Sequence, residues 1–329
     1  TGGVVCVRCR RTLVHCRLGD ITKMLYSLAS PQALGPMNRF SLLLALAFTI
    51  VVVGCQSSSD PESSGASGSD IWLFELDGGD VELLERLTDR EGYDNQPMFL
   101  DDGRLLFVSD RAGRANIHLY DIESDDISQL TFTDADKYSP TPIPGTGGRE
   151  FSVVHTDSIA QQGLWRYSVD GSTEPGPIAD VDWVAYYTWV GQDKVLFWRL
   201  TQPIPTVQLL DTITSSSQTI VEDSAFSFKQ VPGEEASSYL ARWADDHAEI
   251  WNYDWNTGVS TVMALVFEDG SDFTWTLDGR LLMMQGSELY SFKPDASDEW
   301  ERVAKLRLKN GSRLVVSPNG RLLAVVGNH

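Results

Sequence analysis

Histidine is scarce in the part of this chain that has the composition of a folded domain. Beyond Cys55 the sequence contains four histidines, His118, His155, His247 and His329. None has a second histidine at the spacing of metal ligands, and the Gly-x-Ser-x-Gly turn of serine hydrolases does not occur. The sequence therefore predicts no catalytic residue, no metal site and no cofactor, although a Ser/His/Asp group assembled from separate loops stays open.

Three cysteines and one histidine form a separate cluster near the first residue. The cluster comprises Cys6, Cys9, His15 and Cys16. Its Cys-x-x-Cys spacing is that of a zinc knuckle. Because no core segment accompanies the cluster and Met37 follows it, we expect residues 1–36 to be upstream sequence that is absent from the working protein.

Acidic and aromatic residues at recurring positions indicate a binding site that does not catalyse a reaction. They stand in polar loops before predicted strands, where they would line one rim of the fold. The candidates are Tyr93, Asp94, Asn95, Asp136, Tyr138, Asp182, Trp183, Asp272 and Phe273. Such a rim suits a peptide, a basic partner or a sugar. The alternative is structural, with aspartates that cap turns and aromatics that wedge between sheets.

One stretch, Gln96–Thr131, shows the strand pattern that would hold these residues in place. It divides into four short runs of strand-forming residues, separated by Asp101–Gly103, Asp110–Ala115 and Glu123–Asp126. Short strands between turn residues form an antiparallel meander. One such sheet cannot bury both of its faces, so further copies must stack beside it.

Copies of this unit recur along the chain. The start of its third strand is found six times, 39–47 residues apart, at Ile71, Ile117, Leu164, Val207, Ile250 and Leu289. A four-stranded unit that repeats about every 40–45 residues is typical of β-propeller blades. The sequence therefore predicts an all-β fold, a six-bladed β-propeller of four-stranded antiparallel blades.

The two ends of residues 70–329 are predicted to share one blade. The region begins at Asp70 with a third strand and continues with a fourth, Glu82–Thr88. It finishes with Arg313–Ser317 and Arg321–Val326, which have the pattern of a first and a second strand. A composite N- and C-terminal blade would close the ring non-covalently and remove exposed sheet edges, which otherwise invite aggregation.

The residues before the propeller have the pattern of an export signal. Met37–Arg39 is a short positive segment, and Phe40–Val53 is an apolar run of 14 residues, shorter than the roughly 20 residues of a membrane-crossing helix. The pattern resembles a bacterial lipoprotein signal with Val52–Cys55 as its lipobox. The resemblance implies that residues 37–54 are removed and that Cys55 carries a lipid. An ordinary secretory signal and an uncleaved anchor are the alternatives.

Residues 55–69 are predicted to tether the propeller to the membrane. This stretch is rich in serine and glycine and contains no large apolar residue, so it cannot pack and is expected to be a flexible linker. In the lipoproteins that the signal resembles, aspartate directly after the lipidated cysteine commonly marks retention at the inner membrane. This chain has Gln56 at that position, so the resemblance implies sorting to the outer membrane. The expected location is the bacterial cell envelope, at the outer membrane facing the periplasm.

Net charge narrows the range of partners. The chain carries a formal charge of −20 at pH 7. Residues 1–54 contain six Lys or Arg and one acid, a charge of +5, so residues 55–329 carry −25. Such a surface repels nucleic acid and anionic lipid, so no nucleic-acid partner is expected.

The repeat residues resemble those of TolB-type propellers. In that family Leu-Thr ends one blade, Asp-x-x-Pro opens the next, and an Asp-Gly turn leads to a strand that ends in Ser-Asp-Arg. The matching residues here are Leu87-Thr88, Asp94 with Pro97, Asp102-Gly103 and Ser109-Asp110-Arg111. The resemblance covers residues 70–329 and implies the fold. It says less of function, because scaffolds, peptidase accessory domains and lyases share the repeat.

These features together predict a lipid-anchored, non-enzymatic propeller that binds or scaffolds envelope proteins, peptides or glycans. The alternative is an envelope hydrolase or lyase that uses the axial pocket of the propeller. Polar groups that converge on an axial metal would favour the enzyme, whereas an open rim lined by aromatics would favour the binding module.

Lipidation is tested by replacing Cys55 with serine, which removes the thiol that accepts the lipid. We expect Cys55→Ser to move the protein from the membrane fraction to the soluble fraction, and mass spectrometry of the wild-type N-terminus to find an acylated Cys55. Cys16→Ser, upstream of the expected cleavage site, is the control and should leave the protein on the membrane. Retention of Cys55→Ser on membranes at high salt would contradict the lipobox interpretation.

Overall fold

The computed structural model describes residues 68–328, except 223–224, 243–247, 268–269, 295 and 298. The predicted signal peptide, Cys55 and most of the predicted tether lie outside the described residues, as do His247 and His329. The described part of the chain is built from strands, turns and loops. No helix in this part has the length and apolar character that a membrane crossing needs.

Twenty-four strands form six sheets of four. Blade 1 comprises β1 (Asp70–Asp77), β2 (Asp80–Arg86), β23 (Leu314–Val316) and β24 (Leu322–Gly327). Blade 2 comprises β3 (Asp94–Phe99), β4 (Arg104–Ser109), β5 (Asn116–Asp121) and β6 (Asp126–Gln129). Blade 3 comprises β7 (Asp136–Pro142), β8 (Glu150–Thr156), β9 (Gln162–Ser168) and β10 (Gly176–Pro177).

The remaining three blades follow in chain order. Blade 4 comprises β11 (Val184–Val190), β12 (Lys194–Arg199), β13 (Thr206–Asp211) and β14 (Ser216–Val221). Blade 5 comprises β15 (Ala225–Gln230), β16 (Ala236–Arg242), β17 (Ala248–Asp254) and β18 (Ser260–Leu265). Blade 6 comprises β19 (Phe273–Trp275), β20 (Leu281–Gln285), β21 (Glu288–Phe292) and β22 (Glu301–Lys305).

The blades close into a ring. In blades 2–6 each strand pairs antiparallel with the next strand of the chain. The first strand of each blade contacts the first strand of the next, in the order β23, β3, β7, β11, β15, β19 and back to β23. These six strands surround a central axis, which confirms the six-bladed propeller predicted from the repeat.

Blade 1 is assembled from both ends of the described region, as predicted. Its order is β2-β1-β24-β23, and β1 pairs antiparallel with β24 from Ile71 opposite Val326 to Glu75 opposite Leu322. The Leu76 amide extends this ladder by donating to the Arg321 carbonyl at 2.8 Å. The pairing gives a partner to strands that would otherwise be open edges of the first and last blades.

The recurring Leu-Thr dipeptide has a structural role at the end of each fourth strand where it occurs. Thr88 and Thr131 are buried, and their hydroxyls accept hydrogen bonds from the amides of Ile71 at 3.0 Å and Ile117 at 2.9 Å. These amides lie at the starts of third strands, beyond the last residue of the fourth strands beside them. The threonine side chain therefore satisfies a backbone donor that the sheet ladder leaves without a partner.

The hydrophobic core lies between blades. One cluster joins Phe74 and Leu323 of blade 1 to Leu282 and Leu289 of blade 6. Two inter-blade hydrogen bonds add to this packing, from Trp189 Nε1 to Ser152 Oγ at 3.0 Å and from Trp275 Nε1 to Ser238 Oγ at 2.8 Å. They join blade 4 to blade 3 and blade 6 to blade 5 in the same way, and they fix the orientation of both indoles.

Lys137 on β7 is a fully buried lysine. Its ammonium donates to Asn116 Oδ1 at 3.2 Å, the Thr133 carbonyl at 2.9 Å and the Ala135 carbonyl at 2.5 Å. Burial lowers the pKa of Lys137 to about 8, against the attraction of Asp136. The charged amine therefore destabilises the folded state relative to the unfolded chain, in which lysine keeps its ordinary pKa.

The free energy of unfolding should consequently depend on pH through Lys137. Because its pKa is about 8 when folded and 10.5 ordinarily, the unfolded chain binds more protons between these values, and stability rises with pH across that window. The contribution is about 2 kcal/mol between roughly pH 8 and pH 10. Urea denaturation should show this rise as a difference between wild type and Lys137→Met. The exposed Lys305→Met is the control, and equal pH profiles for all three proteins would contradict the assignment.

Candidate functional site

The six innermost strands enclose an axial channel, and β-bulges aim side chains into it. β3, β7, β11 and β15 each shift register at one place, which leaves two residues of each strand unpaired with the second strand. Gln96, Ser139 and Ser227 at these bulges have φ of 54°, 53° and 50°. A bulge turns side chains out of the regular alternation, and these three side chains line the channel.

Between the innermost strands lies a small cavity of about 50 Å³ with polar lining residues, which we call the waist. Three of its lining residues are charged: Lys229, Asp272 and Arg313. The Asp272 carboxylate is 4% exposed and lies 3.5 Å from Lys229 Nζ. It also accepts hydrogen bonds from the Leu314 amide at 3.1 Å and from the Ser227 hydroxyl. The protein therefore already holds the two carboxylate oxygens of Asp272 in place.

Arg313 reaches from blade 1 toward blade 4, on the opposite side of the ring. Its Nη2 donates to the Tyr186 hydroxyl at 3.2 Å, and its guanidinium lies 5.4 Å from the centre of the Tyr186 ring. Burial acts against the charge of Arg313, but the attraction of Asp272, with Tyr186 and Tyr93, raises its pKa above the ordinary value. Arg313 thus stays charged, and the waist holds two cations and one carboxylate within a domain of strongly negative charge.

Gln96 of the waist connects Tyr93, which lies outside the lining of this cavity, to Ser139. Tyr93 receives a hydrogen bond from Gln96 Nε2 at 3.1 Å, and Gln96 Oε1 accepts from the Ser139 amide at 2.5 Å. Burial raises the pKa of Tyr93, although Arg313 and Gln96 oppose the shift. The Tyr93 hydroxyl therefore stays protonated at neutral pH.

A much wider cavity opens where the innermost strands end. This proline-lined mouth has a volume of about 600 Å³ and shares five lining residues, Lys229 among them, with the waist. Its wall is mainly apolar and includes Pro142, Pro144, Trp189, Pro232, Trp275, Leu277 and Pro318. A concave, mostly apolar cavity of several hundred Å³ with a few convergent polar groups is the usual form of a ligand site.

Sequence reasoning placed the candidate site at the other end of the channel and missed this mouth. Its signal was present, because prolines follow the innermost strands of several blades. Proline makes rigid apolar surface at little further cost in entropy. Their recurrence after first strands could have been noticed before the structure was known.

The nine predicted rim residues have different surroundings in the structure. Tyr93 lies close to Arg313, and Asp272 lines the waist. Trp183 is 46% exposed in the loop before β11. Asp136 and Asp182 form ion pairs with Arg114 and Arg199. Tyr138 packs between blades 2, 3 and 4.

Four of the nine residues are buried, and three of these, all except Asp272, make contacts that serve the fold. Asp94 is 0% exposed and forms ion pairs with Arg90 at 3.0 Å and Arg111 at 3.3 Å. Asn95 is buried, and its Nδ2 donates to Ser69 Oγ at 3.3 Å. Phe273 is wholly buried in the core between blades 5 and 6. Their contacts correspond to the structural alternative for these positions.

The histidines that the structure describes lie away from the waist and the mouth. Burial lowers the pKa of His118, whose Nδ1 lies 3.3 Å from the Asn116 carbonyl oxygen. Burial also lowers the pKa of His155, which stacks on Trp165 at 4.1 Å between ring centres. Within the described residues, no group of three or more His, Cys, Asp or Glu side chains is arranged to hold a metal ion.

Comparison with known proteins bears on the fold. A protein described as TolB from Agrobacterium tumefaciens superposes with a TM-score of 0.62 at 10% identity, over 79% of this chain and 98% of its own. The fold is that of the TolB-type propellers. An oligogalacturonate lyase in complex with manganese gives a TM-score of 0.51 at 16% identity, over 75% of this chain and 80% of its own.

A third similar structure is a gluconolactonase from Xanthomonas campestris, with a TM-score of 0.54 at 15% identity, over 74% of this chain and 88% of its own. No protein-family profile and no curated protein sequence matches the chain. Because the similar structures include TolB proteins and enzymes at low identity, the likeness establishes the architecture and selects no activity.

Asp94 and Asp182 separate a structural role from a surface role within the predicted rim. Asp94→Asn should lower the free energy of unfolding by about 2–3 kcal/mol, because it removes the buried partner of Arg90 and Arg111. Asp182→Asn is the matched control and should cost less than about 1 kcal/mol, because its pair with Arg199 is solvated. Urea denaturation measures both changes. Equal losses for the two variants would show that burial does not govern the contribution of these aspartates.

Proposed function

We propose that this protein is a lipid-anchored, non-enzymatic propeller of the bacterial envelope that binds a partner in its axial channel. The observation that carries the proposal is the proline-lined mouth, an apolar cavity of about 600 Å³ that leads to the polar waist. Its partner would be an envelope protein, a peptide or a glycan that places one part in the mouth. Tyr93 and Trp183 remain the rim positions at which we expect contact from the other end.

The direction of the channel supports this arrangement. Ser69, the residue before β1, pairs with Tyr93, and its amide donates to the Gly92 carbonyl at 3.1 Å. The chain therefore enters the domain at the end of the channel where the innermost strands begin. The proline-lined mouth lies at the end where these strands finish. In an anchored protein the tether would leave from one end of the channel, so it would not cover the mouth at the other.

The groups in the waist favour binding over metal-dependent chemistry. Lys229 and Arg313 are cations, and the Tyr186 hydroxyl accepts a hydrogen bond from Arg313. The positive charges of Lys229 and Arg313 would repel a metal cation in this small cavity. Of the described residues that line the waist, only Asp272 supplies a carboxylate, and its oxygens are already occupied by Leu314, Ser227 and Lys229. In the alternative, an envelope hydrolase or lyase, Lys229 and Arg313 would themselves have to act on the substrate.

The binding role is tested by obstructing the mouth. Leu277 lines it and is 57% exposed, so Leu277→Arg should place a charge at the entrance without disturbing the core. Ile213→Arg is the matched control, because Ile213 is 76% exposed in the turn after β13 and does not line the channel. We expect wild type and Ile213→Arg to capture the same component of envelope extracts, and Leu277→Arg to lose most of it.

Two outcomes would contradict the proposal. Capture by Leu277→Arg equal to that of wild type would exclude the mouth as the binding site. Turnover of a peptide or uronide substrate by wild type, abolished by Leu277→Arg and kept by Ile213→Arg, would establish the enzyme in place of the binding module.

A further inference from the structure

The chemistry of the channel changes along its axis. At the proline-lined mouth the lining includes several prolines together with Trp189 and Trp275, which are 4% and 7% exposed. Both indole N–H groups donate to serine hydroxyls of the neighbouring blades, Ser152 and Ser238, so the part of each ring that reaches the cavity is apolar. Lys229 lies where the mouth meets the waist and is the first cation that an entering ligand reaches.

The waist has more positive charge than its own carboxylate neutralises. Asp272 lies 3.5 Å from Lys229 Nζ, a long ion pair. Among the described residues no carboxylate lies within ion-pair distance of Arg313, whose hydrogen bond is to the Tyr186 hydroxyl. Guanidinium has five N–H donors and ammonium has three, so both cations keep donors for a further acceptor. A cavity of about 50 Å³ has room for one carboxylate group or one to two waters.

We propose that the channel binds an amphipathic carboxylic acid, with its carboxylate at Lys229 and Arg313 and its apolar body against Trp189 and Trp275. This inference rests on the proposed function and specifies the chemistry of the ligand. Charge-assisted hydrogen bonds hold the head, and burial of apolar surface holds the body. The source is either the free C-terminus of an apolar peptide or a small amphipathic acid.

The negative charge of Asp272 should weaken the binding of a carboxylate in the waist. Its carboxylate competes with the ligand for Lys229 and repels the ligand head. Asp272→Asn keeps an oxygen to accept from the Leu314 amide but removes the charge. It should therefore raise the affinity for an acid, whereas a variant that merely damaged the channel would lower it.

Isothermal titration with octanoate, octanol and octylammonium tests the head group on the full-length protein. We expect octanoate to bind about tenfold more tightly than octanol, and octylammonium more weakly than either. Lys229→Gln should lower octanoate affinity about tenfold and leave octanol affinity unchanged. Asp272→Asn should strengthen octanoate binding. Lys305→Gln, on the exposed outer strand β22, is the control and should match wild type.

Equal binding of octanoate and octanol, unaffected by Lys229→Gln, would overturn the carboxylate assignment while leaving the mouth as a binding site. Absence of binding by all three probes, together with full capture by Leu277→Arg, would overturn both proposals. If Lys229→Gln fails to fold, Asp272→Asn decides, and unchanged or weaker octanoate affinity overturns the inference. The source of the carboxylate is identified by comparing an apolar tripeptide that has a free C-terminus with the same tripeptide as its C-terminal amide. Tighter binding of the free acid supports a peptide C-terminus. Binding of octanoate with no preference between the two tripeptides supports a small acid.

Discussion

The pairing of β1 with β24 is the interaction on which the rest of this structure depends. It joins residues from the two ends of the described region into one sheet, from Ile71 opposite Val326 to Glu75 opposite Leu322. Without it, blade 1 would be two half-sheets with open edges. The axial channel exists only in a closed ring, and Arg313 faces Tyr186 because the composite blade is one of the six. Closure therefore sets both the stability of the domain and the geometry of its candidate site.

Buried charge is handled differently in neighbouring blades. Asp94 on β3 and Lys137 on β7 are equivalent, since each stands two residues before the unpaired residues of its bulge. Asp94 is compensated by two arginines, whereas Lys137 is surrounded by neutral oxygens of Asn116, Thr133 and Ala135. The first arrangement keeps a charge stable, and the second lowers the pKa of an amine. The repeat thus preserves the backbone while its side-chain chemistry diverges.

The channel combines opposite properties within a short distance. Rigid prolines and fixed indoles form an apolar mouth, and the adjoining waist concentrates two cations around one carboxylate. The field of a cation is stronger in a low-dielectric cavity than on a solvated surface. The acidic exterior therefore does not cancel the local charge of the waist, and the interior can attract a group that the outer surface repels.

The architecture could be predicted from the amino-acid sequence, because its signals are local. One signal is the turn pair, as in Asp278-Gly279 and Asn319-Gly320, where both glycines adopt positive φ. The other is the third strand, which recurs at regular spacing. The half-repeats at the two ends also predicted the composite blade. The candidate site was decided by tertiary structure. Bulges at Gln96, Ser139 and Ser227 carry no strong sequence signature, and ring closure brings Arg313 to Tyr186 across 127 positions. A carboxylate such as Asp94 or Asp272 has the same letter in the sequence, but only the folded ring determines whether it is buried among arginines or lines the channel.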